Sequence, residues 1–282
     1  MFALLCVVIG VAAGALVGMQ RPVSLPIAPL MTVREVHGEV MKIDGSGPSP
    51  AAAGTVVEVG DRVATGPEGR AVITHGDDAP IRLAPSTAVR VVAADDARLE
   101  LELERGQVKA RVRAESATLR VSNESRAVSA RRGAFAVRVD ERGLFSAEAE
   151  EGTVAVEGVA GVQELAAGER VVAWPDGRAA RGGIPAEPLL DVAWPGATTQ
   201  SQVALIGTAE PGSRVRVLAP VATPPVEVGP DGRFELLVAL TEGKNQLQLE
   251  VVDASGRIRA ASGTVTRDSS GPSFKIKLEY QR

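Results

Sequence analysis

Leu99-Glu100-Leu101-Glu102-Leu103 alternates apolar and charged side chains without a break. Successive side chains on a strand point to opposite faces, so this run puts leucines on one face and carboxylates on the other, as in a half-buried strand. The same reading extends upstream through Val89-Arg90-Val91-Val92, Ile81-Arg82-Leu83, Ala71-Val72-Ile73-Thr74 and Thr55-Val56-Val57-Glu58-Val59, to Val33, Val40 and Ile43. Gly60, Gly66, Gly69, Gly106, Gly143, Gly152 and Gly168 punctuate these runs and are expected at turns or bulges, where a side chain is costly. No segment after residue 30 keeps a helical apolar period over a dozen residues. The fold class is all-β.

Composition narrows the function. The 31 basic and 35 acidic residues leave a formal charge of −4. That balance offers no general attraction to nucleic acid, whose binding needs cations to displace counterions. Aromatic residues are 3% of the chain, so the cores must be built from Val, Leu, Ile and Ala. The single cysteine, Cys6, lies in the first apolar run, which excludes a disulfide and a Cys-based zinc site elsewhere.

Phe2 to Met19 is uninterrupted by charge until Arg21. About 18 apolar residues approach the length that spans a bilayer as a helix. Residues 1–20 are therefore expected to be an apolar helix, either a retained signal-anchor or a signal peptide that lacks a basic leading region. Ala13-Gly14-Ala15 offers small residues for cleavage; Cys6 lies too near the start for a lipobox. Residues 21–30 read as a Pro-rich spacer.

Residues 173–195 carry Ala-Trp-Pro twice, at Trp174 and Trp194, around Pro175, Gly177, Gly182, Gly183, Pro185 and Pro188. This reads as an irregular linker. The two tryptophans are candidate platforms for stacking on sugar rings; the favoured alternative is that each closes the core of an adjacent domain. Residues 196–282 return to strands. Pro211-Gly212 pre-sets a turn, Pro230-Asp231-Gly232 reads as a hairpin tip, and Asn245 to Asp253 alternates before Gly256. Strands about ten residues apart suggest a β-sandwich. Phe274-Lys275-Ile276-Lys277-Leu278-Glu279-Tyr280 is expected to complete this domain's own sheet rather than pair with another protein's edge.

Both modules resemble known families. Gly54-Thr55-Val56-Val57-Glu58-Val59-Gly60-Asp61-Arg62-Val63-Ala64-Thr65-Gly66 resembles the opening of the FecR domain. Later pieces come in family order: Gly69 to Ile73, Ile81 to Val89, Leu101 to Val108, Val128 to Val137, Glu151 to Val156 and Leu165 to Glu169. The resemblance implies a solenoid-like β-domain over residues 31–172, in the periplasm or at the cell surface. Founding members carry a cytoplasmic anti-sigma region ahead of a membrane span, whereas nothing precedes Met1 here. The envelope location and the binding role are therefore all that carry over. The strings around Pro211-Gly212, Asp231-Gly232-Arg233-Phe234 and Asn245 to Gly256 are similar to bacterial immunoglobulin-like domains, which implies a sandwich over residues 196–282.

Chemistry finds little footing. Nucleophile-base pairs need a histidine, and only His37 and His75 exist. His75 beside Asp77 and Asp78 reads as a solvated turn before it reads as a metal site. Asp95-Asp96 and Glu148-Glu150-Glu151 are the densest acidic clusters, and alternate acids on a strand normally face water. No cofactor is expected, and no enzyme. The expectation is a non-catalytic envelope binding, scaffold or sensor protein acting through protein-protein contacts. Its partner would be an envelope protein or a cell-surface polymer, with the membrane reached through residues 1–20 and no nucleic acid bound. The alternatives are a cell-wall or polysaccharide binder and a transmembrane signalling component related to FecR-type regulators.

Overall fold

A computed structural model describes residues 31–76, 79–113, 118–161 and 163–270. The expected N-terminal helix, the Pro-rich spacer and the strand at Phe274–Tyr280 lie outside the described residues. Within them every regular element is a strand, as the alternating pattern requires.

The first module has two layers. One contains Met31–His37, Arg70–His75, Ala79–Leu83, Gly133–Val139, Phe145–Glu151, Glu169–Ala173 and Ala179–Gly183. The other contains Val40–Asp44, Arg62–Thr65, Ala88–Ala94, Thr118–Asn123, Arg126–Ala130, Thr153–Glu157 and Glu164–Ala166. The chain winds between them, one hairpin at a time. Pairing is antiparallel except where Thr118–Asn123 runs parallel to the start of Arg98–Val112. A single apolar cluster fills the space between the layers, with Val33, Ile73, Ile81, Phe135 and Phe145 meeting Val63, Leu101, Leu119, Val154 and Leu165.

Arg98–Val112 belongs to both layers. Its first half pairs with Ala88–Ala94 in the second layer and its last half with Gly133–Val139 in the first. The change of layer falls at Gly106, whose φ of +90° is left-handed backbone. A Cβ there would lie 2.5 Å from the Thr87 Cα, so the close approach requires a glycine. Beside it the Gln107 N–H donates to Thr87 Oγ1 at 3.0 Å, and the Thr87 N–H donates to Thr65 Oγ1 at 2.9 Å.

The second module is a sandwich. Leu190–Ala193, Gln202–Ala209 and Arg233–Ala239 form one sheet. Ala197–Thr198, Ile258–Arg267, Gly243–Val252, Arg214–Ala219 and Val226–Glu227 form the other. Leu205, Phe234 and Leu236 pack against Val217, Leu249, Val251 and Val265 between them.

Two local expectations are corrected. Residues 173–195 are not an irregular linker: Ala179–Gly183 extends the first module, and Leu190–Ala193 opens the second. Pro175 sits in the turn before one strand, and Pro185 and Pro188 lie between the two, so neither strand loses a ladder donor. Pro230-Asp231-Gly232 is not a hairpin tip. It carries the chain from Val226–Glu227 in one sheet to Arg233–Ala239 in the other.

Candidate functional site

The densest array of buried polar groups lies where the two modules meet. From the first module come Glu148 on Phe145–Glu151 and Arg170 on Glu169–Ala173, with Arg138, Arg142 and Trp174 around them. The second contributes two turns, Glu210-Pro211-Gly212-Ser213 and Asp253-Ala254-Ser255-Gly256, both pressed against the first.

Arg170 is 5% exposed, and Glu148 and Glu210 are 7% and 2%. One Arg170 nitrogen donates to Glu210 at 2.5 Å; the other stands at ion-pair range, 3.9 Å, from both Glu148 and Asp253. The second carboxylate oxygen of Glu210 accepts from the Leu189 N–H at 2.9 Å, so the chain between the modules is tied to the same acid. Arg257 pairs with Asp253 at 2.7 Å and donates to the Pro185 carbonyl at 2.8 Å. Glu148 also accepts from the Ser255 hydroxyl. Charges removed from water are tolerated when paired and hydrogen-bonded.

Around this centre the contacts alternate polar and apolar. Ser146 Oγ donates to the Ala254 carbonyl at 3.1 Å. Arg138 reaches the Ser255 carbonyl at 3.4 Å; burial pushes its guanidinium below its ordinary pKa, against the pull of Asp140 and Asp253. Arg142 pairs with Asp140 at 2.7 Å and with Glu227 of the second module at 2.8 Å. Leu144, Val172, Trp174 and Ala254 form a small apolar cluster across the boundary. Gly256 has a φ of +84°, and a Cβ on it would collide with the Arg138 guanidinium. Bare backbone is what lets that turn seat.

Trp174 is 3% exposed. Its indole N–H donates to Glu227 at 2.7 Å, and the Arg178 guanidinium lies 5.5 Å from the ring centroid. The ring is thus enclosed by protein and holds the modules together. Trp194 lies on Gly263 of Ile258–Arg267 and packs on the second core, half-buried. The structure does not bring the two rings to one site.

Glu148 corrects the expectation that its strand face meets water. Glu150, two residues on, is exposed and pairs with Lys109 at 3.0 Å, whereas Glu148 is covered by the Ser255 turn. A local alternation pattern contains no trace of a docking module 107 residues away. Asp95 is an exposed turn residue that accepts from the Ala97 and Arg98 N–H groups at 2.9 and 2.8 Å. His75 is buried at the end of Arg70–His75, while Asp77 and Asp78 lie outside the described residues. Among the described residues no three His, Cys, Asp or Glu side chains are grouped to hold a metal.

These features define an all-β protein of two modules joined through a buried charged seam. Residues 61–155 match the family model described as FecR protein. No curated protein sequence matches the chain. Two crystal structures described as a "putative anti-sigma factor" from Parabacteroides distasonis are 17% and 19% identical, with TM-scores of 0.40 and 0.39. Each match covers 43% of this chain and 59% of that one, less than two thirds of those proteins. A tetra-tandem repeat from the extending region of a large adhesion protein is 14% identical, with a TM-score of 0.25, covering 86% of this chain and 68% of that one.

Proposed function

We propose that this is a non-catalytic binding and scaffolding protein of the bacterial cell envelope, acting through protein-protein contacts. On this reading the FecR domain and an immunoglobulin-like module work as one rigid body, held at the membrane through residues 1–20. The observation that carries it is the seam. A spacer needs only a flexible connection between modules, because orientation is then irrelevant. Here the second module is fixed by a buried Arg170–Glu210 pair, by two close-seated turns and by Trp174. A fixed relative orientation matters when a partner contacts both modules, or when one must be presented at a set angle.

The test is crosslinking in bacterial cells that express the tagged full chain, with identification of the captured proteins. The expected result is one specific envelope protein, lost when Gly256→Arg breaks the seam. Capture of no specific protein would retire the scaffold reading. A signalling role related to FecR-type regulators is the second reading, favoured by the family match at residues 61–155. It requires the captured partner to be a membrane or cytoplasmic regulator.

A further inference from the structure

The first module has a second end. Phe145–Glu151 meets the second module through Ser146 and Glu148 and finishes at Glu151; Gly133–Val139 runs the opposite way, so Gly133 lies beside Glu151. At that far end opens a groove of about 960 Å³, lined by Arg111, Arg113, Arg131 and Arg132. The acids among its described wall residues are Glu151 and Glu164, and Arg111 holds Glu151 through two hydrogen bonds of 2.8 and 2.7 Å. Among the described lining residues, guanidiniums therefore outnumber carboxylates, in a chain whose formal charge is −4. The contrast with the seam end is direct: a groove of about 460 Å³ there has Glu104, Glu124, Asp140 and Glu141 against three arginines. Of these two grooves, the far one carries the basic excess among its described lining residues.

The far groove is also shaped. Its floor includes Gly133 and Gly152, with φ of +128° and +75°. A Cβ on Gly133 would collide with the Glu151 carbonyl, and one on Gly152 would come 3.1 Å from the Arg132 carbonyl, so glycine at both positions lets the two strand ends approach closely beside the groove. Thr118, Ser129 and Thr153 add hydroxyls, while the apolar lining among the described residues is Val112, Ala130 and Ala155.

We propose that this groove binds an acidic polysaccharide of the cell surface, through its carboxylate or phosphate groups. The proposal rests on the envelope-binding reading and adds a second class of partner to it. Guanidinium forks match carboxylate and phosphate oxygens two at a time. Hydroxyls beside them complement sugar hydroxyls. A protein segment is anchored by large apolar or aromatic side chains in desolvated pockets, and the described lining of this groove offers none.

The test is binding of the full chain to four immobilised polymers: polygalacturonate, phosphorylated mannan, neutral dextran and polyaspartate. Binding is expected to polygalacturonate or phosphorylated mannan, the stronger of the two identifying the acidic group, and to fall as salt is added. Dextran and polyaspartate are expected to bind far more weakly. Arg113→Glu with Arg131→Glu should weaken binding by about tenfold or more for each arginine. Arg216→Glu with Arg233→Glu, the same charge change on the second module, should leave it within about twofold. All variants are first shown to keep the wild-type thermal transition. Equal losses in both double variants, polyaspartate binding as well as polygalacturonate, or no binding to either acidic glycan would each overturn the proposal. Failure here is separable from failure of the scaffold reading, because the groove variant should still capture the crosslinked protein partner.

Discussion

At the residue scale the molecule turns on a few charged side chains that are held buried among their partners. Arg170 is the clearest. Replacing it by Ala leaves Glu210 facing a lost donor, with Glu148 and Asp253 nearby, all buried. Removing one member of a buried pair typically costs about 3–5 kcal/mol, because the partner charge stays buried alone. Arg170→Ala should lower the unfolding free energy by that order in a urea titration; a change under about 1 kcal/mol would show that the site relaxes into water. Three surface carboxylates contribute to acid sensitivity. Hydrogen bonds from Ser46 hold Asp44 down at about 2 against an ordinary 3.8, and ion pairs hold Glu157 (with Arg120) and Glu169 (with Arg181) below an ordinary 4.5. A carboxylate depressed in the folded state adds stability above its unfolded value and loses it as pH falls through the folded one. Denaturation midpoints should therefore decline below about pH 4.5 and go on falling toward 2; midpoints that rise on acidification would contradict these pairs.

At the scale of elements the decisive piece is Arg98–Val112, which ties both layers into one core. Gly106 is its pivot, and Gly106→Ala combines left-handed backbone with a Cβ pushed into Thr87. Strain of this kind costs about 1–3 kcal/mol before the overlap is counted, so the melting temperature should drop by several degrees. An unchanged melting temperature would mean that the crossing is loose. Much of this scale was legible in the residues. Leu99 to Leu103 alternates because one face meets the core, and all three leucines are fully buried. The passage of that strand beyond Gly106 into the other layer was not legible, since a glycine marks a kink but carries no record of the sheet that the next residues will join. The two strands within 173–195 were hidden for a related reason. Their prolines and glycines flank the paired residues or sit at an exposed edge, and composition averaged over the segment erases that distinction.

For the whole molecule the question is whether two modules unfold as one. The seam links them through buried pairs, through Trp174, and through two turns whose left-handed glycines, 212 and 256, sit close against side chains of the first module. A single calorimetric transition is expected, with the van't Hoff enthalpy close to the calorimetric value. Gly256→Arg should split it in two; two transitions in the unaltered chain would show that the seam is weaker than either core. This site was the least legible part. Pro211-Gly212 and Asp253 to Gly256 read as turns and are turns, but nothing local says that a turn will become a docking surface. Trp174 was one of two tryptophans beside prolines, and only long-range contacts, the hydrogen bond to Glu227 and the packing on Ala254, separate it from Trp194.

The polarity of the seam bears on how the protein is made. The first module is complete by Gly183, well before the last strand of the second, Ile258–Arg267, leaves the ribosome. During that interval its docking face stands in water, displaying Glu148, Arg170, Arg138 and Arg142 around a small patch of Leu144, Val172 and Trp174. A greasy face left waiting is what chaperones and neighbouring chains seize. A charged one can wait in solution, hydrated and unattractive, until its own partner arrives.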